Sequence, residues 1–255
     1  MEFLLLTLYA PLVSWGDIAV GEARGSWVQP SRSAILGLIA AALGITRDDQ
    51  EAHNALDSGY GFAVRLDAPG TPVTDYHTAQ AVAASAVKRV AERGPITRAT
   101  LLNTSDRATI ISRRAYRQDA LATVAIWSRA SGAWSLAHLA EALRRPAFVL
   151  YAGRKSNAFG LPLGPEVVTA ATLADAFTQR RDPARGIAAV AVRPVQGWGR
   201  EVTHDPCDGF SSGLRPLRRQ TRRDAHADRT QWQFRERPID VGLIEPGSGH
   251  GTLGA

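Results

Sequence analysis

Residues 3–9 read Phe3-Leu4-Leu5-Leu6-Thr7-Leu8-Tyr9, and residues 121–127 read Leu121-Ala122-Thr123-Val124-Ala125-Ile126-Trp127. Both runs are apolar at odd and even positions alike, the pattern of a strand buried on two faces. Between them, Tyr60, Phe62, Val64 and Leu66 alternate with Gly61, Ala63, Arg65 and Asp67, the pattern of a half-exposed strand. Ile35, Leu38, Ile39, Ala42 and Leu43 recur at helical spacing, with Ser31 or Ser33 as N-cap and Gly44 as stop. Arg47 to Leu56 reads as a short second helix. Leu136, Leu139, Ala140 and Leu143 mark another helix, with Pro146 just past its end. Ala147 to Tyr151 then reads as a short apolar strand. The order β-α-β, β-α-β predicts an α+β, ferredoxin-like (RRM-like) antiparallel sheet. Its first and third strands lie in the middle, and its second and fourth at the edges.

The connection from the second strand to the third is too long for a hairpin turn, which needs only about 2–5 residues. Residues 68–119 are therefore expected to form a structured insertion. Ala79, Val82, Ala83, Ala86, Val87 and Val90 give it an amphipathic helix ended by Gly94-Pro95, and Ala108 to Ile111 reads as a strand. The expected organisation is a sheet domain over 1–151 carrying that insertion, a smaller Arg-rich, β-containing part over 152–241, and a flexible tail over 242–255. Within the second part, Ile187 to Val192 reads as a buried strand, Arg193 to Arg229 as loop, and Gln231 to Val241 as a returning strand.

The chain has 255 residues, 45% of them apolar, which supports a sizeable core and excludes a mostly disordered chain. No apolar run approaches the ~18 residues of a membrane span. The N-terminus lacks the basic start of a signal peptide and reads as a first strand. The single Cys207 excludes an internal disulfide and any multi-cysteine zinc site, and a cytoplasmic location is the expectation. None of the six histidines stands at a metal-binding spacing, so neither metal nor cofactor is expected.

Lys and Arg total 30 against 24 Asp and Glu, a net charge of +6, and only Lys88 and Lys155 are lysines. GC-rich codon usage explains an arginine excess as well as function does, so placement matters more than the total. Arg107, Arg113, Arg114 and Arg117 share an 11-residue stretch with no acid, and Tyr116 sits among them. Arg154 and Lys155 stand in Gly153-Arg154-Lys155-Ser156-Asn157. Arg215, Arg218, Arg219, Arg222 and Arg223 form a third acid-free cluster. Guanidinium groups suit phosphates, and aromatics among them suit bases, so the three clusters together favour nucleic acid over a solvated basic surface. No RNP1 motif is present, which points to loops and the insertion as the contact rather than the sheet face. Trp15, between Ser14 and Gly16, either stacks on a base or anchors its loop. Catalysis has one candidate set: His77 as base, with Tyr116 and Lys155, in metal-independent RNA cleavage.

Five stretches carry a resemblance: Pro11-Leu12-Val13-Ser14-Trp15-Gly16 with Gly21-Glu22; Pro30-Ser31-Arg32-Ser33-Ala34-Ile35-Leu36-Gly37-Leu38; Asp75-Tyr76-His77-Thr78; Ser112-Arg113-Arg114-Ala115-Tyr116-Arg117-Gln118-Asp119-Ala120; and Gly153-Arg154-Lys155-Ser156 with Leu161-Pro162-Leu163. In this order, across residues 2–240, they resemble the CasD family of subtype I-E CRISPR-associated RAMP proteins. The resemblance implies a ferredoxin-like domain whose insertion is a "thumb". It implies a non-catalytic, RNA-binding role at the 5′ handle of the CRISPR guide RNA within the Cascade surveillance complex. Implied partners are that guide RNA, the Cascade backbone subunit and the large PAM-reading subunit; target DNA is engaged only indirectly, for antiviral defence. Carried onto this sequence, the handle contacts are Trp15, Arg24, Arg113, Arg114, Tyr116, Arg117, Arg154, Lys155 and Ser156. A related subtype uses a relative as the nuclease that processes precursor CRISPR RNA, the alternative role for His77, Tyr116 and Lys155. One departure is Asn157-Ala158-Phe159, where relatives often carry Cys-Pro.

Overall fold

The structure is a computed structural model that describes residues 1–16, 19, 21–180, 199–228 and 233–245. Its frame is four antiparallel strands: β1 (Glu2–Val13), β5 (Tyr60–Ala68), β7 (Arg107–Ser128) and β8 (Glu166–Thr169). They lie side by side as β5-β7-β1-β8, so the first and third strands of the frame are central. Short strands β2 (Trp15–Gly16), β3 (Ala23–Arg24) and β4 (Ser26–Trp27) lie in the loop after β1. Helix α1 (Arg32–Leu43) runs back from them. Its N-cap Ser31 accepts from Ala34 N–H, and Gly44 ends it in the left-handed conformation at φ 77°. Helix α2 (Gln50–Gly59) leads into β5, and α5 (Leu136–Arg144) follows β7. The architecture is ferredoxin-like α+β, as the two doubly apolar strands require.

Those strands are apolar on both sides because each face of the sheet has its own core. Leu4, Leu6, Leu8, Val124 and Ile126 pack with Ile35, Ile39, Leu139 and Leu143 of α1 and α5. Phe3, Leu5, Ala125 and Trp127 pack on the other side with Leu173 and Phe177 of α6 (Leu173–Gln179). Full burial of each such side chain is worth about 1.5–3 kcal/mol.

Several elements differ from expectation. Ala147 to Tyr151 is not a strand; the fourth strand of the frame is β8, paired with β1 from Glu2↔Thr169 to Leu5↔Glu166. The last carbonyls of a helix need donors, and Ala147 and Phe148 N–H supply them to Ala42 and Ala41 of α1 at 3.0 and 3.1 Å. Strand β5 is not at an edge. Strand β9 (Glu201–His204) pairs with it and continues the sheet through β11 (Gln233–Leu243) to β10 (Arg215–Asp228), so much of 193–229 is strand where a loop was expected. The expected strand 187–192 lies outside the described residues, as does the tail beyond Glu245.

The insertion is an antiparallel arm. β6 (Thr71–Val82) pairs with the distal half of β7, from Thr71↔Gln118 to Val82↔Arg107. The helix expected from Ala79 begins later, as α3 (Ala84–Arg93), because hairpin pairing claims 79–82 for β6. A short α4 (Arg98–Leu102) completes the tip. The expected strands at 108–111 and 121–127 are one 22-residue strand. Where it leaves the core, Asp119 takes φ 55°, in the left-handed region, and Tyr9 OH donates to its Oδ1 at 3.2 Å. Burial, then the Asp119 charge, raises the Tyr9 pKa. On the inner side of the bend, a Cβ on Gly70 (φ 66°) would meet the Gln118 carbonyl.

The C-terminal hairpin is fastened to the frame by buried charge. Asp205, 2% exposed, accepts from Arg32, from Arg237 Nη1 at 2.5 Å and from Phe62 N–H at 3.2 Å. Asp224 accepts from Arg32 N–H at 2.8 Å and Arg237 Nε at 2.6 Å, and Asp57 from Arg32 Nε at 2.9 Å. Every arginine here has a carboxylate, and Asp205 and Asp224 each have several donors, so burial is tolerated; removing one partner strands the rest. Asp205→Ala is expected to lower unfolding free energy by about 3–5 kcal/mol, measured by chemical denaturation; a loss under 1 kcal/mol would show the network to be dispensable.

Candidate nucleic-acid interface

Side chains alternate along a strand, and directly paired residues share a face. That rule divides the basic stretch of β7. Tyr116 and Arg114 point to one side of the arm, with Val73 and Asp75 opposite them on β6. Arg113 and Arg117 point to the other side, with Tyr76 and Pro72 opposite. The four residues are neighbours in sequence and half of them are on the wrong side to act together.

What gathers on the Tyr116 side comes from three segments. Arg24 of β3 lies beside Arg114 across a parallel bridge. Arg154 places its guanidinium carbon 4.3 Å from the centre of the Tyr116 ring. Lys155 and Ser156 follow it, both exposed. Arg154 stands in a tight turn: Asn157 N–H donates to the Arg154 carbonyl at 2.8 Å, and Ala152 N–H to the Asn157 carbonyl at 2.8 Å. Asn157, 3% exposed, also donates from Nδ2 to the Ala152 carbonyl at 3.2 Å. The turn is pressed against the first loop, where Ser14 N–H donates to the Ala152 carbonyl at 3.1 Å and Ser14 Oγ to the Ala115 carbonyl at 3.2 Å. Among the described residues, no ion pair engages Arg24, Arg113, Arg114, Arg117, Arg154 or Lys155. Asp75, the acid nearest them in register, lies 3.7 Å from His77 Nδ1 instead.

The other expected contacts are placed differently. Trp15 is 2% exposed and belongs to the core, so it anchors its loop and offers no stacking face. Arg117 donates from Nε and Nη2 to the Pro69 and Gly70 carbonyls, stapling the base of the arm, and burial lowers its pKa. Arg113 is exposed beside Tyr76, itself 58% exposed. His77 pairs in register with Ser112, four residues from Tyr116, or about 13 Å along the strand. The 215–223 cluster is largely answered by acids of the same chain: Arg215 by Glu245 at 2.5 Å, Arg218 by Glu201 at 3.0 Å and Arg219 by Asp240 at 2.6 Å. The Arg219 hydrogen bond in turn lowers the Asp240 pKa. Cys207 is no candidate nucleophile, since burial pushes its thiol up to about 12.

Two contributors had no signal in a count of cations. Asn157 closes the Arg154 turn. Gly153, at φ 88°, sits where a Cβ would overlap the Ser14 carbonyl oxygen. A glycine just before two cations was the only available hint.

A ferredoxin-like sheet with a long inserted hairpin, and unneutralised cations around a stacked tyrosine at its root, defines a RAMP-type protein. The model of the family described as CRISPR-associated protein (Cas_Cas5) matches residues 3–240, and the chain belongs to that family. It is 32% identical over 170 residues to the CRISPR system Cascade subunit CasD of Escherichia coli (strain K12), covering 64% of this chain and 69% of that protein. A chain of a CRISPR RNA-guided surveillance complex superposes with TM-score 0.57 at 26% identity, covering 94% of this chain and 89% of that one. A second solved structure, described as a Cas protein, shares the fold with TM-score 0.56 at 22% identity, over 95% and 94% of the two chains. Among the described residues, no helix is long and apolar enough to cross a membrane.

Gly153→Ala is expected to dislodge the Arg154 turn, at a cost of about 1–2 kcal/mol for the left-handed backbone alone. The check is a denaturation midpoint together with RNA affinity. Both are expected to fall although no charge changes.

Proposed function

We propose that this protein is the non-catalytic RNA-binding subunit of a type I-E Cascade complex, and that it grips the 5′ handle of the CRISPR guide RNA. The carrying observation is a set of cations that, among the described residues, have no acidic partner near Tyr116: Arg24, Arg114, Arg154 and, next to it in sequence, Lys155. A folded chain with 24 acids leaves such a group unneutralised only at a cost in self-repulsion, and a polyanion relieves it. A single-stranded handle can splay its bases toward the Tyr116–Arg154 stack while its phosphates meet the surrounding guanidinium groups. The relatives are named as a Cascade subunit and as a chain of an RNA-guided surveillance complex; the neighbours proposed within such a complex are the Cascade backbone subunit and the large PAM-reading subunit. Target DNA is then selected by pairing with the guide and not by this chain. The proposed setting is the cytoplasm.

The spacing of His77 supports a holding role over a cutting one. A general base and its partners must meet within hydrogen-bond reach of one substrate, and about 13 Å of strand separates His77 from the Tyr116–Lys155 group. Full-length protein incubated with repeat RNA in EDTA is expected to leave it intact; specific cleavage abolished by His77→Ala would establish the nuclease reading instead.

Replacing Arg24, Arg114 and Arg154 together by Ala is expected to weaken RNA binding on the order of 100-fold, at about 1 kcal/mol or more per lost contact. The slope of log affinity against log salt should fall by about 2, the single-strand value for three contacts. Replacing Arg215, Arg218 and Arg219 provides the control. Already paired to Glu245, Glu201 and Asp240, they should change affinity by no more than about twofold. Equal losses in the two triple variants would mean binding follows net charge and not this site.

A further inference from the structure

We infer that Trp27 is a base-stacking residue of this protein, with its ring held in place from behind by Arg222. The inference rests on the RNA-binding reading above and adds a second aromatic contact to it.

Trp27 and Trp15 are directly paired across β2 and β4, yet only one is buried: Trp15 is 2% exposed and Trp27 is 42% exposed. One face of the Trp27 ring is covered by the Arg222 guanidinium, whose Cζ lies 4.7 Å from the ring centre. Arg222 is itself buried. Its Nη2 donates to the Gln29 carbonyl at 3.3 Å, and its Nε lies 3.5 Å from Asp224 Oδ2. Asp224 also accepts from Arg32 and Arg237. The cation behind the ring is thus tied into the buried network that fastens the C-terminal hairpin, and the orientation of the indole is set by the core. A freely mobile surface tryptophan would have no such backing.

With Arg222 on one face, Trp27 still keeps 42% of its surface exposed. Arg24 stands three residues before Trp27, at most about 10 Å along the chain, and β4 lies against β7. A flat, oriented aromatic face within one nucleotide's reach of a phosphate-binding arginine is what a splayed base needs. Stacking tolerates any base and is strengthened by a neighbouring guanidinium.

The test pairs Trp27→Leu with single-position abasic replacements along an RNA oligonucleotide carrying the repeat-derived 5′ segment, using the full chain. Leucine keeps apolar bulk and removes the ring face. Removing the stacked base from the RNA is expected to weaken wild-type binding roughly 5- to 100-fold. In Trp27→Leu the penalty at that one position should vanish while the others persist, and the salt slope should stay unchanged because no charge is lost. Arg222→Lys, which keeps charge without a planar group, should shrink the same penalty and no other. Penalties identical at every position in wild type and Trp27→Leu would overturn the inference. So would a uniform loss in the variant, which would make Trp27 a structural or protein-contact residue. If the Arg24/Arg114/Arg154 variant still loses affinity in that case, the RNA-binding reading stands alone; if it loses none, that reading itself fails.

Discussion

One uninterrupted strand carries both the core and the arm. From Ala120 to Trp127, β7 is packed on two faces, and its register there is locked by Val124 and Ile126 on one side and Ala125 and Trp127 on the other. A slip of one residue would exchange those faces, so the register is strongly specified. Beyond Asp119 the same strand pairs with β6, and β1 stays paired across the bend, at Leu12↔Gln118 and Val13↔Arg117. The direction in which Arg114 and Tyr116 point is therefore inherited from the core and not chosen by the loops around them.

The second constraint is electrostatic. The chain holds arginines in three states. Arg32 and Arg222, both buried, and Arg237, half-buried, pair with Asp57, Asp205 and Asp224, where they fix the hairpin β10–β11 to the frame. Arg215, Arg218 and Arg219 face solvent with acidic partners on neighbouring elements; such exposed pairs add little stability, yet they cancel the local field. Arg24, Arg114 and Arg154 have no acidic partner among the described residues and are not fully buried; Arg24 donates to the Gly21 carbonyl, Arg114 to Ser112 Oγ, and Arg154 lies over Tyr116. The last group stands together at the root of the arm, where the first loop, β7 and the 152–157 turn converge.

Much of this was legible in the sequence. The doubly apolar strands, the stripe and caps of α1, and the excess chain between the second and third frame strands all follow from short-range periodicity and from the length a turn requires. Two misplaced elements failed for one shared reason. Ala147–Tyr151 has a strand's composition, and Ala79–Val82 has a helix's spacing, but long-range donors and acceptors decided otherwise: the open carbonyls of α1 in the first case and the hairpin partner 107–110 in the second.

By itself the sequence determined which segments are buried, that an insertion exists, and which residues are cationic. Those properties are written in local pattern and composition. Only the tertiary structure decided which arginines are neutralised, that Trp15 is inside while Trp27 is outside, and that Arg113 and Arg114 face opposite ways. The physical reason is that an ion pair or a shared face depends on residues brought together from distant segments. Asp240 meets Arg219 across a hairpin, and Arg154 meets Tyr116 across 38 positions of chain. No local window of sequence contains both partners.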